Sequence, residues 1–532
     1  MTGTWPLIRL ILRRDRVLLP LWVVLLAVLP AAYVSSFRQL FPTAAGLDEY
    51  ARVSAGNAGF VSLYGPLHGS SLGEMVAWRA GFIPVLVALF SVLTVIRHTR
   101  TDEEAGRTEL IGSGVVSRHA GLAAALITTL GANLLLALFM TVVLVGQGLP
   151  ATGSLLLGLG FGLTGAVFAG VAAVTAQLSG SARTARSLAM IAIAVAYVLR
   201  LAGDVSDLGT GTVAWLSWLS PIGWAQHLFP YGADVWWPAG LAVVTGATLV
   251  TASVLLASRR DVGAGLLPTR PGPAQAAPGL RSPLALAWRL QRGLLTAWIV
   301  GFALLGLVFG GVAQSIATLA DDSAGLAEIF ARLGGASGVV DSFLVGILGF
   351  LGLFAAAFAV QAMLRMRDEE STGHAELVLT TGVSRYRWVL SHLVFALLGP
   401  ALALLVGGAV TGLVHGLAVH DVSGQLGAVL GGAAAQIPAV WVLAGVAAGL
   451  FGLLPRLAPL AWGALGVCVL VLLVGATLQL DQWVLDISPF THVPHLPGGR
   501  ASALPLVVLT VIAVVLGAAG LAGFRRRDVP AT

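Results

Sequence analysis

No lysine occurs in the 532 residues; all 30 basic residues are arginine. A P-loop needs a lysine to reach the β- and γ-phosphates of a nucleotide. The chain therefore has no Walker A motif and no route to ATP hydrolysis through one. Cysteine is nearly absent too. Cys468 stands alone in the middle of an apolar run, which rules out an internal disulfide and a thiolate metal cluster. No HExxH segment and no His/Cys cluster at zinc spacing occurs. Acidic pairs within 102–109 and 368–376 could imitate a metal or acid-base site, but no metal-ligating or catalytic residue is expected in this chain. Charge is scarce: 10% of residues, where a soluble domain carries about 25%.

What fills the chain is apolar sequence, 57% of it. Twelve runs have membrane-spanning length, near residues 17–34, 77–96, 120–146, 153–178, 187–203, 236–257, 294–313, 343–364, 388–417, 424–452, 457–479 and 501–524. A span takes about 20 residues. The expected fold is therefore all-α and polytopic, with about 12 transmembrane helices. Arg-rich sequence before the first run and Ala31-Ala32 after it imitate a signal peptide, but eleven further spans favour a retained first helix.

The arginines set an orientation. With the N-terminus inside, 24 lie on the inner side and six (Arg38, Arg52, Arg79, Arg200, Arg332 and Arg500) outside or within spans. The positive-inside rule then predicts cytoplasmic N- and C-termini. This asymmetry accounts for the net charge of +6, so no nucleic-acid partner is expected.

One polar segment occurs twice. Residues 100–118 and 367–385 align without a gap at a shift of 267. Glu103, Gly106, Glu109, Leu110, Val116, Ser117 and Arg118 fall on Glu370, Gly373, Glu376, Leu377, Val383, Ser384 and Arg385. The repeat extends to Arg13, Arg16 and Trp22 with Arg289, Arg292 and Trp298, to Glu74 with Asp341, to Ser220-Pro221 with Ser488-Pro489, and to Arg259-Arg260-Asp261 with Arg526-Arg527-Asp528. Residues 1–267 form a first six-span half, 268–283 a Pro/Gly-rich cytoplasmic linker, and 284–532 a second half. Six spans return the chain to the same side, so the halves insert in parallel. A charged segment held at one place in two apolar halves implies a docking element; a solvated helix is the plainer reading.

Smaller features follow the same frame. Apolar and basic residues alternate before spans 1 and 7 as in an interfacial amphipathic helix, or in an extension of the span. Ser154, Gly158, Gly162, Ala166 and Gly170 form a small-residue stripe on span 4; Gly427, Gly431, Ala435 and Ala439 form one on span 10. Both are expected to pack helices closely. The aromatic segments 204–236 and 480–500, broken by Gly and Pro, read as short helices dipping in from outside. Gly69-Ser-Ser71-Leu-Gly73 imitates a hydrolase elbow, and Gly335-Ala-Ser337-Gly338 imitates an intramembrane protease. Ser71-x-x-Glu74 is also a capping box, and a helix-entry element is the expectation.

With these residues in view, the chain resembles the permeases of ABC-2 exporters. It is most similar to the fused two-half actinobacterial group that exports polyketide antibiotics. In that family a segment of form E-x-x-G-x-x-E-L-x(5)-V-S-R follows span 2 and builds the coupling helix. The resemblance implies that Glu103, Gly106, Glu109, Ser117 and Arg118, with Glu370, Gly373, Glu376, Ser384 and Arg385, meet a separate ABC ATPase. Two copies of that subunit would carry ATP and Mg; no cofactor is implied in this chain. The chain itself would be a permease subunit in the bacterial cytoplasmic membrane, not an enzyme. It would export a small apolar or amphipathic cargo, as in multidrug efflux or antibiotic resistance. Glu104 becomes Ser371 and Arg107 becomes His374, so the halves need not dock equally. The cargo cavity would lie between halves, with Trp78 and Phe82 on span 2 and Phe350, Phe354 and Phe358 on span 8 as candidate walls; such rings also face lipid. The rival is a major-facilitator secondary transporter, which would carry a Gly-rich Asp/Arg motif after span 2 and buried coupling charges. Residues 97–118 lack that motif.

Overall fold

The computed structural model describes residues 2–55, 58–207, 211–267, 274–322, 335–474, 481–499 and 502–527. It divides into two compact units, Met1–Gly272 and Pro273–Thr532. No strand occurs among the described residues. Eleven described helices are long and apolar enough to cross a membrane, and Leu460–Leu472 is a shorter apolar one. A multi-pass all-α membrane protein of about twelve helices is the result. Of the expected linker, residues 268–273 lie outside the described residues, as do Arg332, Arg500 and Asp528. The expected end of span 11 also falls partly outside them.

In the first unit the helices are α1 (Thr4–Arg14), α2 (Leu18–Leu40), α3 (Ala44–Ala55), α4 (Ala58–Tyr64), α5 (Leu72–Arg79), α6 (Ile83–His98), α7 (Arg100–Glu104), α8 (Arg107–Gly112), α9 (Ala120–Gly146), α10 (Ala151–Leu178), α11 (Ala182–Asp207), α12 (Pro221–Gln226) and α13 (Trp237–Ser258). Helix α10 is the most enclosed span and packs on α6, α9, α11 and α13. Its glycines explain why. A Cβ at Gly158 would lie 2.5 Å from the Ala137 carbonyl oxygen, at Gly162 2.9 Å from that of Asn133, and at Gly170 2.7 Å from Leu249. The small-residue stripe on span 4 is a packing seam against α9 and α13.

The second unit contains α14 (Pro283–Asp322), α15 (Gly335–Ser371), α16 (His374–Leu379), α17 (Arg385–Ala418), α18 (Val422–Leu453), α19 (Leu460–Val474), α20 (Gln482–Leu485) and α21 (Ala503–Arg526). Helix α18 is its enclosed centre. The expected stripe on this helix has the wrong register. A Cβ at Gly427 or Gly431 would meet nothing within 4 Å. The close approaches are at Gly432, near the Leu496 carbonyl, and at Gly445 and Gly452, near the α21 backbone. Ala435 and Ala439 do belong to the buried face, with Val493 and Leu509.

Equivalent segments are broken in the first unit and continuous in the second. Span 2 was expected to start at 77, but α5 ends at Arg79 and α6 starts at Ile83. Pro84 sits in the first turn of α6, where its missing N–H costs nothing. Leu348 and Leu351 replace Gly81 and Pro84 at the shift of 267, and α15 runs through. Likewise α1 is a separate amphipathic helix. Its Ile8 and Ile11 pack on Ala124 and Ala125 of α9, and a turn at 15–17 divides it from α2. Asp15 in that turn pairs with Arg97 at 3.1 Å and His98 at 2.5 Å. The second unit has Gln291 there, which meets His392 at 3.2 Å, and α14 is unbroken from Pro283. The extension reading thus holds before span 7 and the separate helix before span 1.

Ser71 caps α5 as a capping box with Glu74: Ser71 N–H donates to Glu74 Oε2 at 3.1 Å, and Glu74 N–H to Ser71 Oγ at 3.3 Å. The hydrolase-like motif is therefore a helix entry. The side chains of 335–337 lie outside the described residues. Short helices do occupy the aromatic segments: a 3-10 turn Ala214–Leu219 and α12, then α20 and a 3-10 turn Pro489–His492. Ser220 and Ser488, equivalent in the repeat, each cap the short helix that follows. His227 stacks on Trp218 with centroids 3.9 Å apart. Burial pushes its imidazole down to about 4, aided by nearby His68, so it is neutral at pH 7.

Candidate functional site

The repeated polar segments form two loops of one design. After α6 the chain makes the short helix α7, turns at Gly106, and enters α8. After α15 it turns at Gly373 and enters α16. Gly106 has φ +71° and Gly373 φ +76°. A Cβ at Gly106 would meet nothing within 4 Å, so the backbone angle, not space, asks for glycine there. Gly106→Ala and Gly373→Ala should each destabilise their loop by about 1 kcal/mol. The check is faster proteolysis or hydrogen exchange at 100–118 or 367–385, with the spans unchanged.

Glu103 and Glu370 do not point to solvent. Each makes a two-toothed ion pair with an arginine just beyond the last span of its own unit. Arg260 holds Glu103 at 2.6 and 2.8 Å; Arg527 holds Glu370 at 2.6 and 2.6 Å. Arg118 donates to the Arg260 carbonyl oxygen, and Arg385 donates to that of Arg527 at 2.6 Å. Three positions related by the internal repeat thus build a latch in each unit. It ties both ends of the loop to the end of α13 or α21. Planar two-toothed pairs of this kind fix orientation as well as distance.

The two latches differ in reinforcement. Glu103 also accepts from Arg100 at 3.0 Å and from Gly263 N–H at 2.7 Å, and Arg260 donates to Gln177 at 2.7 Å. Arg100 is fully buried and binds the carbonyls of Gly263 and Ala264. Glu370 has Arg527 as its one side-chain partner among the described residues; Arg527 lies over the Phe451 and Phe524 rings at 5.1 and 5.0 Å. Glu104 caps α11 by accepting from Ala182 N–H at 3.1 Å; Ser371 at that place instead donates to the Asp368 carbonyl oxygen at 3.1 Å. Asp102 pairs with Arg14 and Arg107, whereas its counterpart Glu369 pairs with Arg365.

Glu109 and Glu376 behave differently. Both are exposed, and neither carboxylate has a side-chain partner among the described residues. The leucine beside each is bared as well: Leu110 is 78% and Leu377 68% exposed. A glutamate and a leucine repeated at the tip of a latched loop form a small mixed surface that nothing in the unit covers. Ser384 caps α17 through Arg387 N–H at 3.4 Å, while Ser117 donates its backbone N–H to Thr2 at 3.0 Å.

The aromatic candidates have different surroundings. Phe358 is 1% exposed and stacks on Trp298 at 5.5 Å, so it is core. Phe350 and Phe354 are 39% and 42% exposed on the surface of the second unit. Phe82 meets Tyr197 edge-on at 5.9 Å, and Trp78 is buried among Tyr50, Phe60 and Tyr64. The residues missed from sequence are Arg260 and Arg527. Their signal was the repeated Arg-Arg-Asp triplet.

Helical spans, two units with one internal repeat, and a latched loop after the second span of each define a multi-pass helical membrane protein. The chain belongs to the family of the multidrug efflux system permease protein Rv1217c. It is 44% identical to that protein of Mycobacterium tuberculosis (strain ATCC 25618 / H37Rv) over 534 aligned positions, covering 99% of this chain and 95% of the relative. Residues 280–525 match the family model described as multidrug efflux system permease Rv1217c, C-terminal domain.

Proposed function

We propose that this chain is the membrane permease of an ATP-driven ABC exporter of the ABC-2 type. Two parallel six-helix halves are fused in one chain. A separate ATPase, two copies per permease, binds ATP and Mg and docks on the loops 100–118 and 367–385. The observation that carries the reading is the exposed Glu-Leu pair, repeated at the tip of two latched loops. Exposed leucines rimmed by charge are a common mark of a protein contact. A flexible loop would absorb a push from the ATPase, whereas a loop tied at both ends to the end of span 6 or 12 passes it on. The relative is named for multidrug efflux, and an apolar or amphipathic small molecule leaving the cell is the cargo proposed here.

Docking by a cytoplasmic ATPase requires both loops on the inner face. Orientation is tested with single cysteines in a Cys468→Ala background. Ser113 and Gln275 should react with a membrane-impermeant thiol reagent only in inverted vesicles, and Ala45 only in intact cells. Reaction of Ser113→Cys in intact cells would overturn the proposal.

A further inference from the structure

At the far end of α6 from its loop, the first unit encloses a cavity of about 420 Å³. Its size is that of a small-molecule site. Tyr64, Trp78, Phe161 and Phe229 line it, together with His68 and Glu74. The walls are fixed. Trp78 Nε1 donates to the Gly65 carbonyl at 2.9 Å, and Gln226 Nε2 to that of Tyr64 at 3.0 Å. The loop that carries Phe229 holds three non-glycine residues at positive φ: Phe229 at 45°, Tyr231 at 65° and Asp234 at 49°. Tyr231 N–H donates to Asp234 Oδ1 at 2.9 Å, and its hydroxyl meets Ser154 Oγ at 2.9 Å. Strain of this kind persists where the surroundings over-determine it, and it clusters at ligand sites.

The charge of the cavity is one-sided. Glu74 Oε2 takes the Ser71 hydroxyl and N–H, but no arginine or histidine forms an ion pair with the carboxylate among the described residues. Arg79 stacks 4.5 Å from the Tyr64 ring centre and is not part of the lining. A single carboxylate supplies too few oxygens for a metal ion. Aromatic lining residues together with one carboxylate match an organic cation with an apolar body.

We propose that this cavity is a binding site for aryl-bearing organic cations, such as quaternary ammonium compounds, contained within the first half of the permease. The site goes beyond the transport reading. Binding to the isolated chain needs no ATPase, so failure here and failure of ATP coupling are separate results.

The test uses the full chain purified in lipid nanodiscs, with benzyltrimethylammonium as probe and phenylmethanesulfonate as its counterpart of opposite charge, followed by calorimetry at pH 7. Glu74→Gln removes the charge and keeps a residue suited to the capping box. The cation should bind wild type and bind Glu74→Gln about tenfold more weakly, as for loss of a charge-assisted contact. The sulfonate should bind neither. Phe229→Leu keeps an apolar wall without a ring face, and should weaken the cation several-fold even if Glu74→Gln loses thermal stability. Equal binding of cation and sulfonate, unchanged affinity in both variants, or no cation binding at millimolar concentration overturns the proposal.

Discussion

Arg527→Ala is expected to cut ATP-coupled transport at least about tenfold in the reconstituted complex, while the chain still inserts and folds. Removing one partner of a buried ion pair costs about 3–5 kcal/mol because the other charge is left unmatched, and about 1.4 kcal/mol is already a factor of ten. Glu370 loses its one side-chain partner in this variant. Arg260→Ala should do less, because Arg100 and Gly263 N–H still hold Glu103. The measurement is the transport rate per ATP hydrolysed for each single variant. The charge-reversed pair Glu370→Arg with Arg527→Glu should recover part of the loss, since the Arg385 contact is to the backbone carbonyl of residue 527. Equal and small effects of both single variants would mean that the latches only decorate the loops.

The second large effect is expected at the loop tips. Glu109→Ala and Glu376→Ala remove exposed carboxylates that have no side-chain partner among the described residues, so insertion and thermal stability should stay at wild-type level. Each carboxylate is placed to accept charge-assisted hydrogen bonds from a docked ATPase, worth about 1.5–3 kcal/mol apiece. Each single change should therefore lower cargo-stimulated ATP hydrolysis by about tenfold, and the double change by more. Leu110→Ser with Leu377→Ser should weaken co-purification of the ATPase through the apolar part of the same contact. Wild-type hydrolysis in the double glutamate variant would make these segments solvated helices with no docking role.

Much of this design is written in local chemistry and so was readable from sequence. Ser71-x-x-Glu74 closes its capping box within four residues. Ser220 and Ser488 cap the turn that each precedes. The repeat at a shift of 267 marked both loops, and Gly106 and Gly373 occupy the backbone angle that glycine favours. Other features depend on which distant segment comes near. The motif glutamates looked alike, yet Glu103 is turned inward to an arginine 157 positions along the chain and Glu109 outward. Only the fold decides between them. The stripe at Gly427 and Gly431 failed because small residues occur around much of α18, and its neighbours choose the buried face. Phe358 shares a period-four row with Phe350 and Phe354 but is captured by Trp298. The breaks at Asp15 and near Gly81 had a signal in Asp15, Gly81 and Pro84, whose counterparts Gln291, Leu348 and Leu351 let α14 and α15 continue.

The central claim is that the chain moves cargo only with a separate ATPase. Its most direct test is a flux assay on proteoliposomes containing the rigorously purified chain, with and without the ATPase subunit, in the presence of Mg-ATP or of an imposed proton gradient. The account predicts no ATP hydrolysis and no gradient-driven flux by the chain alone, and both hydrolysis and ATP-dependent flux once the ATPase is added. Cargo flux driven by the proton gradient in the absence of the ATPase, or hydrolysis by the single chain, would contradict it.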